Sequence, residues 1–165
     1  MLNLVLIISS GTPLQKIEIY FSPRGGCTDA IINIINNAKK SILVQAYAFT
    51  SMPIANALTN ARNKGIIVKV LLDKSQSKGK GCVLKKLVEE GVWITIDKHK
   101  GGIAHNKVMI IDDEKVITGS FNFTSAAEDK NLENLVIITD TQVSKQYSQQ
   151  WEKRNISNTY AQSGK

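Results

Sequence analysis

Two short runs of polar residues carry side-chain types that can do chemistry together. His105 and Lys107 are two residues apart, and Ser120 and Asn122 repeat that spacing further along the chain. On an extended chain, side chains two residues apart share a face. If the two runs lie side by side, an imidazole, an ammonium, a hydroxyl and an amide converge on one spot. Such a set places hydrogen-bond donors around one nitrogen nucleophile.

A phosphodiester is the substrate that these groups fit. It carries one negative charge, and its transition state spreads charge over the non-bridging oxygens. Lys107 can neutralise that charge, while Ser120 and Asn122 donate hydrogen bonds to the same oxygens. His105, as a neutral imidazole, can attack phosphorus and form a covalent phosphohistidine that water later hydrolyses. Because Lys107 supplies the positive charge, we expect neither a metal ion nor another cofactor.

Asp112 lies close to these residues in the sequence but has a different predicted role. It is an odd number of residues from Lys107, so on a regular strand its side chain faces away from the His–Lys pair. It also begins the turn Asp-Asp-Glu, where a carboxylate commonly accepts hydrogen bonds from backbone N–H groups. We therefore interpret Asp112 as structural.

The order H-x-K-x-x-x-x-D, followed after six residues by G-S-x-N, resembles the HKD signature of the phospholipase D superfamily. Other segments are similar to the small bacterial endonucleases of that superfamily, which carry one motif per chain. These segments are 20–23, 46–50, 119–124 and 126–134. The resemblance extends over about residues 16–154 and implies a phospholipase D-like fold.

The resemblance also implies a role for each polar residue. His105 would be the nucleophile, Lys107 and Asn122 the phosphate ligands, and Ser120 a further hydrogen-bond donor. Glu133 matches a carboxylate that in the family orients the catalytic histidine through its other ring nitrogen. Such a partner fixes the tautomer of the imidazole and stabilises the imidazolium that develops.

A single motif leaves the departing oxygen of the first displacement without a proton donor. In-line displacement puts the attacking and leaving groups on opposite sides of phosphorus, so one imidazole cannot serve both. We predict a two-fold homodimer in which His105 of each subunit faces a shared site. The rival hypothesis is that His99 of the same chain is the acid.

The charge of the chain favours a polyanionic partner. Among 165 residues, 21 are Lys or Arg and 14 are Asp or Glu, which gives a net charge of +7. The basic residues are concentrated between 62 and 86, a stretch whose only acid is Asp73. Within it, Lys74, Lys78 and Lys80 belong to a Gly/Ser/Lys loop that is suited to a phosphate backbone. We take these three lysines as candidate substrate contacts.

The preferred function is a metal-independent endonuclease of little sequence preference that cleaves DNA, with RNA as a further substrate. The alternative is a phospholipase D that hydrolyses phospholipid head groups, since the same groups serve both reactions. A third reading is a non-catalytic nucleic-acid-binding module. No apolar run approaches the ~20 residues of a membrane-spanning helix, which excludes an integral membrane protein.

Strand and helix patterns alternate along the chain and predict an α/β fold, with a mixed β-sheet layered between helices. The predicted strands are 17–21, 42–48, 66–72, 92–96, 107–111, 115–118 and 132–139. The predicted helices are 29–38 with Thr28 as N-cap, 53–63, 81–90 and 141–154. One catalytic domain would span residues 16–156, followed by a frayed polar tail at 157–165.

The sequence leaves two features open, the role of the N-terminal segment and the state of the two cysteines. Residues 1–15 are apolar and resemble the remnant of a secretory signal, which predicts a periplasmic or secreted protein, with the cytoplasm as the alternative. Cys27 and Cys82 form one disulfide or remain two thiols, and their spacing does not favour a zinc site.

Overall fold

One mixed β-sheet organises the chain, and its strand order is β1-β7-β6-β5-β2-β3-β4-β8. The computed structural model describes residues 16–99 and 101–161. The strands are β1 Lys16–Ser22, β2 Ser41–Ala46, β3 Ile67–Asp73, β4 Trp93–Asp97, β5 Lys107–Ile111, β6 Lys115–Gly119, β7 Glu133–Thr139 and β8 Thr159–Ala161. The helices are α1 Cys27–Asn36, α2 Met52–Asn63, α3 Leu84–Glu89, α4 Ser125–Asp129 and α5 Thr141–Ile156. The predicted α/β fold with a mixed sheet between helices is confirmed.

Apolar side chains alternate between the two faces of the sheet and build a core on each. The larger core lies under α1, α2 and α3, and the smaller one lies under α5. Trp151 of α5 is fully buried and donates from Nε1 to the carbonyl of Val44 in β2 at 2.9 Å. Because an indole N–H needs a partner when it is buried, this bond fixes α5 against the centre of the sheet. No helix within the described residues is long and apolar enough to cross a membrane.

The strand directions bring several chain segments to one edge of the sheet. Strands β2, β3 and β4 are parallel, whereas β5, β6 and β7 run antiparallel to their neighbours. The carboxyl ends of β2, β3, β4 and β6 therefore lie at the same edge as the amino ends of β5 and β7. We call this edge the site edge.

Helix α1 begins differently from the prediction. Thr28 lies inside the helix, and Gly26 is the N-cap at φ 80°, without a side chain that could cap. Instead, the carboxylate of Glu128 in α4 accepts from the N–H groups of Gly26 at 3.1 Å and Thr28 at 2.7 Å. A distant acid thus replaces the expected local cap, and its charge also suits the positive end of the helix.

The structure differs from the sequence-based predictions, or decides between them, at three further places: the start of α3, the C-terminal tail and the two cysteines. The helix predicted over 81–90 begins only at Leu84 as α3, because Gly81 adopts φ 78°. The tail expected to fray contributes β8, which pairs antiparallel with β4.

Cys27 and Cys82 are both free, which excludes the disulfide between them. Burial and the charge of Glu128 raise the pKa of Cys27 to about 11. Residues 1–15, with the predicted signal remnant, lie outside the described residues.

Asp112 binds backbone N–H groups, but those of a different loop from the turn in which it lies. Its carboxylate accepts from Lys39 at 2.8 Å, Lys40 at 2.7 Å and Ser41 at 3.0 Å, which join α1 to β2. Burial raises the pKa of Asp112, but the hydrogen bonds from Ser41, Lys39 and Lys40 and the charge of Lys115 outweigh it. The pKa therefore lies below the ordinary value of 3.8.

We expect Asp112→Asn to lower the free energy of unfolding at pH 7 by about 2–3 kcal/mol, because three donors lose a charged acceptor. A carboxyl whose pKa is lowered by folding stabilises the fold above its unfolded pKa, and that contribution is lost as pH falls through the folded value. Urea unfolding at neutral and acid pH measures this: the difference should start to shrink as pH falls below about 4 and should close only below the lowered pKa of the folded state. Asp113→Asn is the control, since within residues 16–99 and 101–161 the Asp113 carboxylate accepts one side-chain hydrogen bond, from Ser148. An equal loss in both variants would contradict the structural role of Asp112.

Candidate active site

His105 and Lys107 lie where the chain enters β5, at the site edge. Lys107 pairs with Ala46 at the end of β2, and the N–H of Tyr47 donates to the carbonyl of Asn106 at 3.0 Å. The Lys107 side chain is buried, with 6% exposure, and its Nζ donates to the carbonyl of His105 at 2.6 Å. His105 itself is exposed. The strand thus offers one accessible imidazole beside a largely buried ammonium.

Burial of Lys107 has an electrostatic consequence. Desolvation lowers the pKa of its ammonium below the ordinary 10.5, and the negative charge of Glu133 acts in the opposite direction. A partly desolvated cation interacts more strongly with an anion than a solvated one. Lys107 is therefore well placed to bind a phosphate oxygen.

The segment after β6 crosses the end of β5 and brings a second set of polar groups to the pair. It leaves β6 at Gly119 and reaches the chain beyond β2, where Phe123 forms a bridge with Phe49. Since β5 lies between β6 and β2, this path passes over the strand end that carries His105. Gly119 allows the exit, because its φ is 146° and a Cβ there would lie 2.3 Å from the carbonyl oxygen of Asn134.

Ser120 and Asn122 differ in how far their hydrogen bonds are already used. The Ser120 hydroxyl accepts from the N–H of Asn134 at 3.0 Å, which leaves its own proton free to donate. Asn122 lies between Phe121 and Phe123, both fully buried. Its Oδ1 is buried and has no hydrogen-bond partner in the part of the chain that the structure describes. Because Oδ1 can only accept, a phosphate oxygen would instead be bound by the Nδ2 donors of the same amide.

Glu133 begins β7 at the same edge, but its contacts differ from those implied by the resemblance. Its Oε1 accepts from Nδ2 of Asn131 at 3.1 Å, and its charge acts on Lys107. Over residues 16–99 and 101–161, the imidazole of His105 has no hydrogen bond to this carboxylate. The orienting role of Glu133 stays a prediction.

The loop with Lys74, Lys78 and Lys80 follows β3 and lies at the site edge, with all three lysines exposed. Asp73 anchors its first residues by accepting from the N–H of Ser75 at 2.8 Å and from the hydroxyl of Ser75 at 2.5 Å. The same carboxylate accepts from the N–H of Ala104 at 2.6 Å. One buried acid therefore fixes both the cationic loop and the approach to His105.

A cavity of about 340 Å³ opens beside His105. Its lining includes Gln45, His99, His105, Asn106, Gln150 and Arg154. Arg154 forms an ion pair with the fully buried Asp97, which leaves the cavity polar but largely neutral. The structure thus also brings His99, the rival proton donor, to the same cavity as His105.

Tyr47 is a residue of the site that the sequence pattern did not single out. Its ring centroid lies 4.6 Å from that of His105, and Nζ of Lys107 lies 5.2 Å from its centre. The sequence held no signal for this role, because it depends on β2 and β5 being neighbours in the sheet. Within the described ranges, no three His, Cys, Asp or Glu side chains converge in a way that could hold a metal ion.

Comparison with known proteins places this arrangement in a family. Residues 31–154 match the sequence model of the family described as cardiolipin synthase, PLD-like domain. The chain belongs to the phospholipase D superfamily. Phospholipase D from Rickettsia conorii is 47% identical to it over 144 residues, which are 87% of this chain and 72% of that protein.

Two solved structures share the fold of this chain. The phospholipase D family member Nuc from Salmonella typhimurium superimposes with a TM-score of 0.84 at 32% identity, over 89% of this chain and 98% of that one. NucT from Helicobacter pylori superimposes with a TM-score of 0.79 at 26% identity, over 87% of this chain and 98% of that one. The predicted resemblance to the phospholipase D superfamily is confirmed, and this chain is a phosphodiesterase of that superfamily.

Proposed function

We propose that this phosphodiesterase is an endonuclease of little sequence preference that cleaves DNA, and RNA as well, without a metal ion. The observation that carries the proposal is the exposed imidazole of His105 beside the buried ammonium of Lys107, at the same edge as a loop of exposed lysines. The resemblance of segments of the sequence to the small endonucleases with one motif per chain supports nucleic acid as the substrate class. Such an enzyme needs a nucleophile, a fixed positive charge at the reacting phosphate and a positively charged surface that binds the rest of the polyanion.

The reaction we propose has two displacements. A ring nitrogen of His105 forms a bond to phosphorus as the bond from phosphorus to the leaving oxygen breaks, and that oxygen takes a proton from the partner's imidazole. Water then gives a proton to the same imidazole and attacks phosphorus, and the nitrogen–phosphorus bond breaks. Lys107, Asn122 and Ser120 hold the non-bridging oxygens through both steps.

A dimer completes this reaction, and one apolar surface beside the site suits it. Ile17, Ile19 and Phe21 alternate along β1 with exposures of 49%, 58% and 66%, on a sheet face that α5 leaves uncovered. Phe21 pairs with Asn134 next to the site edge. Burying such a surface against a second copy would bring the two His105 residues towards each other.

We expect Phe21→Glu to weaken the dimer and to lower specific activity about tenfold or more at low protein concentration, because it places a charge in an apolar interface. Sedimentation velocity and nuclease assays over one concentration series measure both. Ile67→Glu is the control, since Ile67 is also exposed but lies at the opposite edge of the sheet. A fully active wild-type monomer would contradict the shared site.

The cationic loop provides the test of nucleic acid as substrate. We expect the triple change of Lys74, Lys78 and Lys80 to Gln to lower kcat/KM on plasmid about 10- to 100-fold at physiological salt. The slope of log kcat/KM against log salt should become shallower by about 2–3, since each phosphate contact contributes roughly 0.9.

The matched control changes Lys39, Lys40 and Lys64 to Gln. It removes the same charge from the edge opposite the site, where these lysines are also exposed. Equal effects of the two triple variants would indicate a response to net charge alone. They would contradict binding of the phosphate backbone by the three lysines of the loop.

A phospholipase D activity is the second candidate, because the Rickettsia conorii relative carries that name. Plasmid and vesicles of labelled phosphatidylcholine, each incubated with the protein in EDTA, separate the two substrates. Cleavage of plasmid alone supports the nuclease, and cleavage of vesicles alone supports the lipase. Binding of DNA without any cleavage would support the non-catalytic module.

A further inference from the structure

Tyr47 contacts both members of the reactive pair. Its ring lies against the imidazole of His105 with the two planes tilted by 57°, and Nζ of Lys107 lies over the same ring. We propose that Tyr47 is a positioning residue that fixes the orientation of the His105 imidazole. Its catalytic consequence rests on the proposed function.

Backbone hydrogen bonds fix the position of Tyr47 relative to His105 and Lys107. Its N–H donates to the carbonyl of Asn106, the residue between His105 and Lys107. Directly before it, Ala46 pairs with Lys107 at the end of the ladder between β2 and β5. The ring is therefore carried by the same hydrogen-bonded strands that carry the pair, and it cannot shift far without them.

The imidazole has little else to hold it. His105 is exposed, and over residues 16–99 and 101–161 its ring makes no hydrogen bond. Without a neighbour, an exposed side chain samples several rotamers. In-line attack needs the ring nitrogen held close to the productive direction, within about 10–20°. The contact with Tyr47 restricts the ring before substrate arrives.

The phenol hydroxyl has a separate contact. Nε2 of Gln76 in the cationic loop donates to Oη of Tyr47 at 3.4 Å. The ring and the hydroxyl can thus be separated by mutation: Tyr47→Phe keeps the ring and loses the bond to the loop, whereas Tyr47→Leu loses both. The proposal assigns the orientation of His105 to the ring.

The experiment combines NMR with kinetics on the full chain. The protein has two histidines, so the ring protons of His105 can be assigned by comparison with His99→Ala. In the wild type and in Tyr47→Phe we expect a ring-current shift of these protons and Hα–Hβ couplings of a single χ1 rotamer. In Tyr47→Leu we expect the shift to vanish and the couplings to average.

On plasmid, Tyr47→Leu should lower kcat about 10- to 100-fold with KM changed less than threefold, and Tyr47→Phe should restore kcat to within about threefold of wild type. Tyr147→Leu is the control, because Tyr147 is half-buried against the smaller core under α5. Thermal unfolding of all variants checks that they fold.

Two results would overturn the proposal. One is an unshifted His105 ring in the wild type, and the other is a Tyr47→Leu variant with averaged couplings but wild-type kcat. If the wild type cleaves neither plasmid nor vesicles, the proposed function fails, and the shift and couplings then decide the placement of Tyr47 by themselves.

Discussion

His105→Asn should lower kcat on plasmid by about 10⁴-fold or more, to the level of the blank. The amide of asparagine occupies similar space but is not a nucleophile, so no bond to phosphorus can form. Since His105 is exposed and its ring makes no hydrogen bond in the described part of the chain, the change should leave the free energy of unfolding within about 0.5 kcal/mol of wild type. Single-turnover cleavage of labelled DNA in EDTA, beside urea unfolding, measures both quantities.

His99→Ala is the matched control, because both histidines border the same cavity. If the proton donor is His105 of a second subunit, this variant keeps turnover to within about tenfold of wild type. Loss of turnover in His99→Ala would favour the single-chain mechanism. Residual turnover in His105→Asn above about 1% would contradict a nucleophilic histidine at that position.

Lys107→Met has the second-largest expected effect, a fall in kcat/KM of about 10³-fold or more. Methionine keeps the length of the side chain and removes the charge that binds the phosphate oxygen. Because the ammonium is buried at a cost in solvation, its removal should leave stability unchanged or increase it slightly. A parallel change, Lys69→Met, tests a half-buried lysine at the opposite edge of the sheet.

The pH dependence gives an independent test of Lys107. Desolvation lowers its pKa below 10.5, and the rate should fall as pH rises through that lowered value, because the charged form binds phosphate. The charge of Glu133 raises the pKa, so Glu133→Gln should move the alkaline limb of log kcat/KM to lower pH. An alkaline limb that stays in place in Lys107→Met would show that another group titrates.

The sequence predicted the sheet well where apolar runs are long and bounded by turn residues. The run at 66–72 corresponds to β3, which the structure places at Ile67–Asp73, and the pair 107–111 and 115–118 corresponds to β5 and β6. These strands are buried in the sheet, so their apolar pattern follows directly from packing. The placement of His105 with Lys107 stays a prediction, since the alternation assumes an extended chain and the structure begins β5 only at Lys107.

Contacts between residues distant in sequence were not predictable in the same way. Glu128 caps α1 across about a hundred residues, and Asp112 binds the loop before β2, since each depends on how the folded elements pack. Tyr47 lies beside His105 only because β2 and β5 are neighbours in the sheet. Strand β8, Thr159–Ala161, has only three residues, too few to show an alternating pattern, although it pairs with β4.

Direct detection of the covalent intermediate tests the mechanism most closely. A short labelled DNA duplex is mixed with the enzyme in EDTA, quenched in alkali within milliseconds to protect the nitrogen–phosphorus bond, digested and analysed by mass spectrometry. We predict a nucleotide linked through phosphorus to the imidazole of His105, formed and lost at rates compatible with turnover. Cleavage that proceeds without any adduct on this residue, or with the adduct on another side chain, would contradict the account.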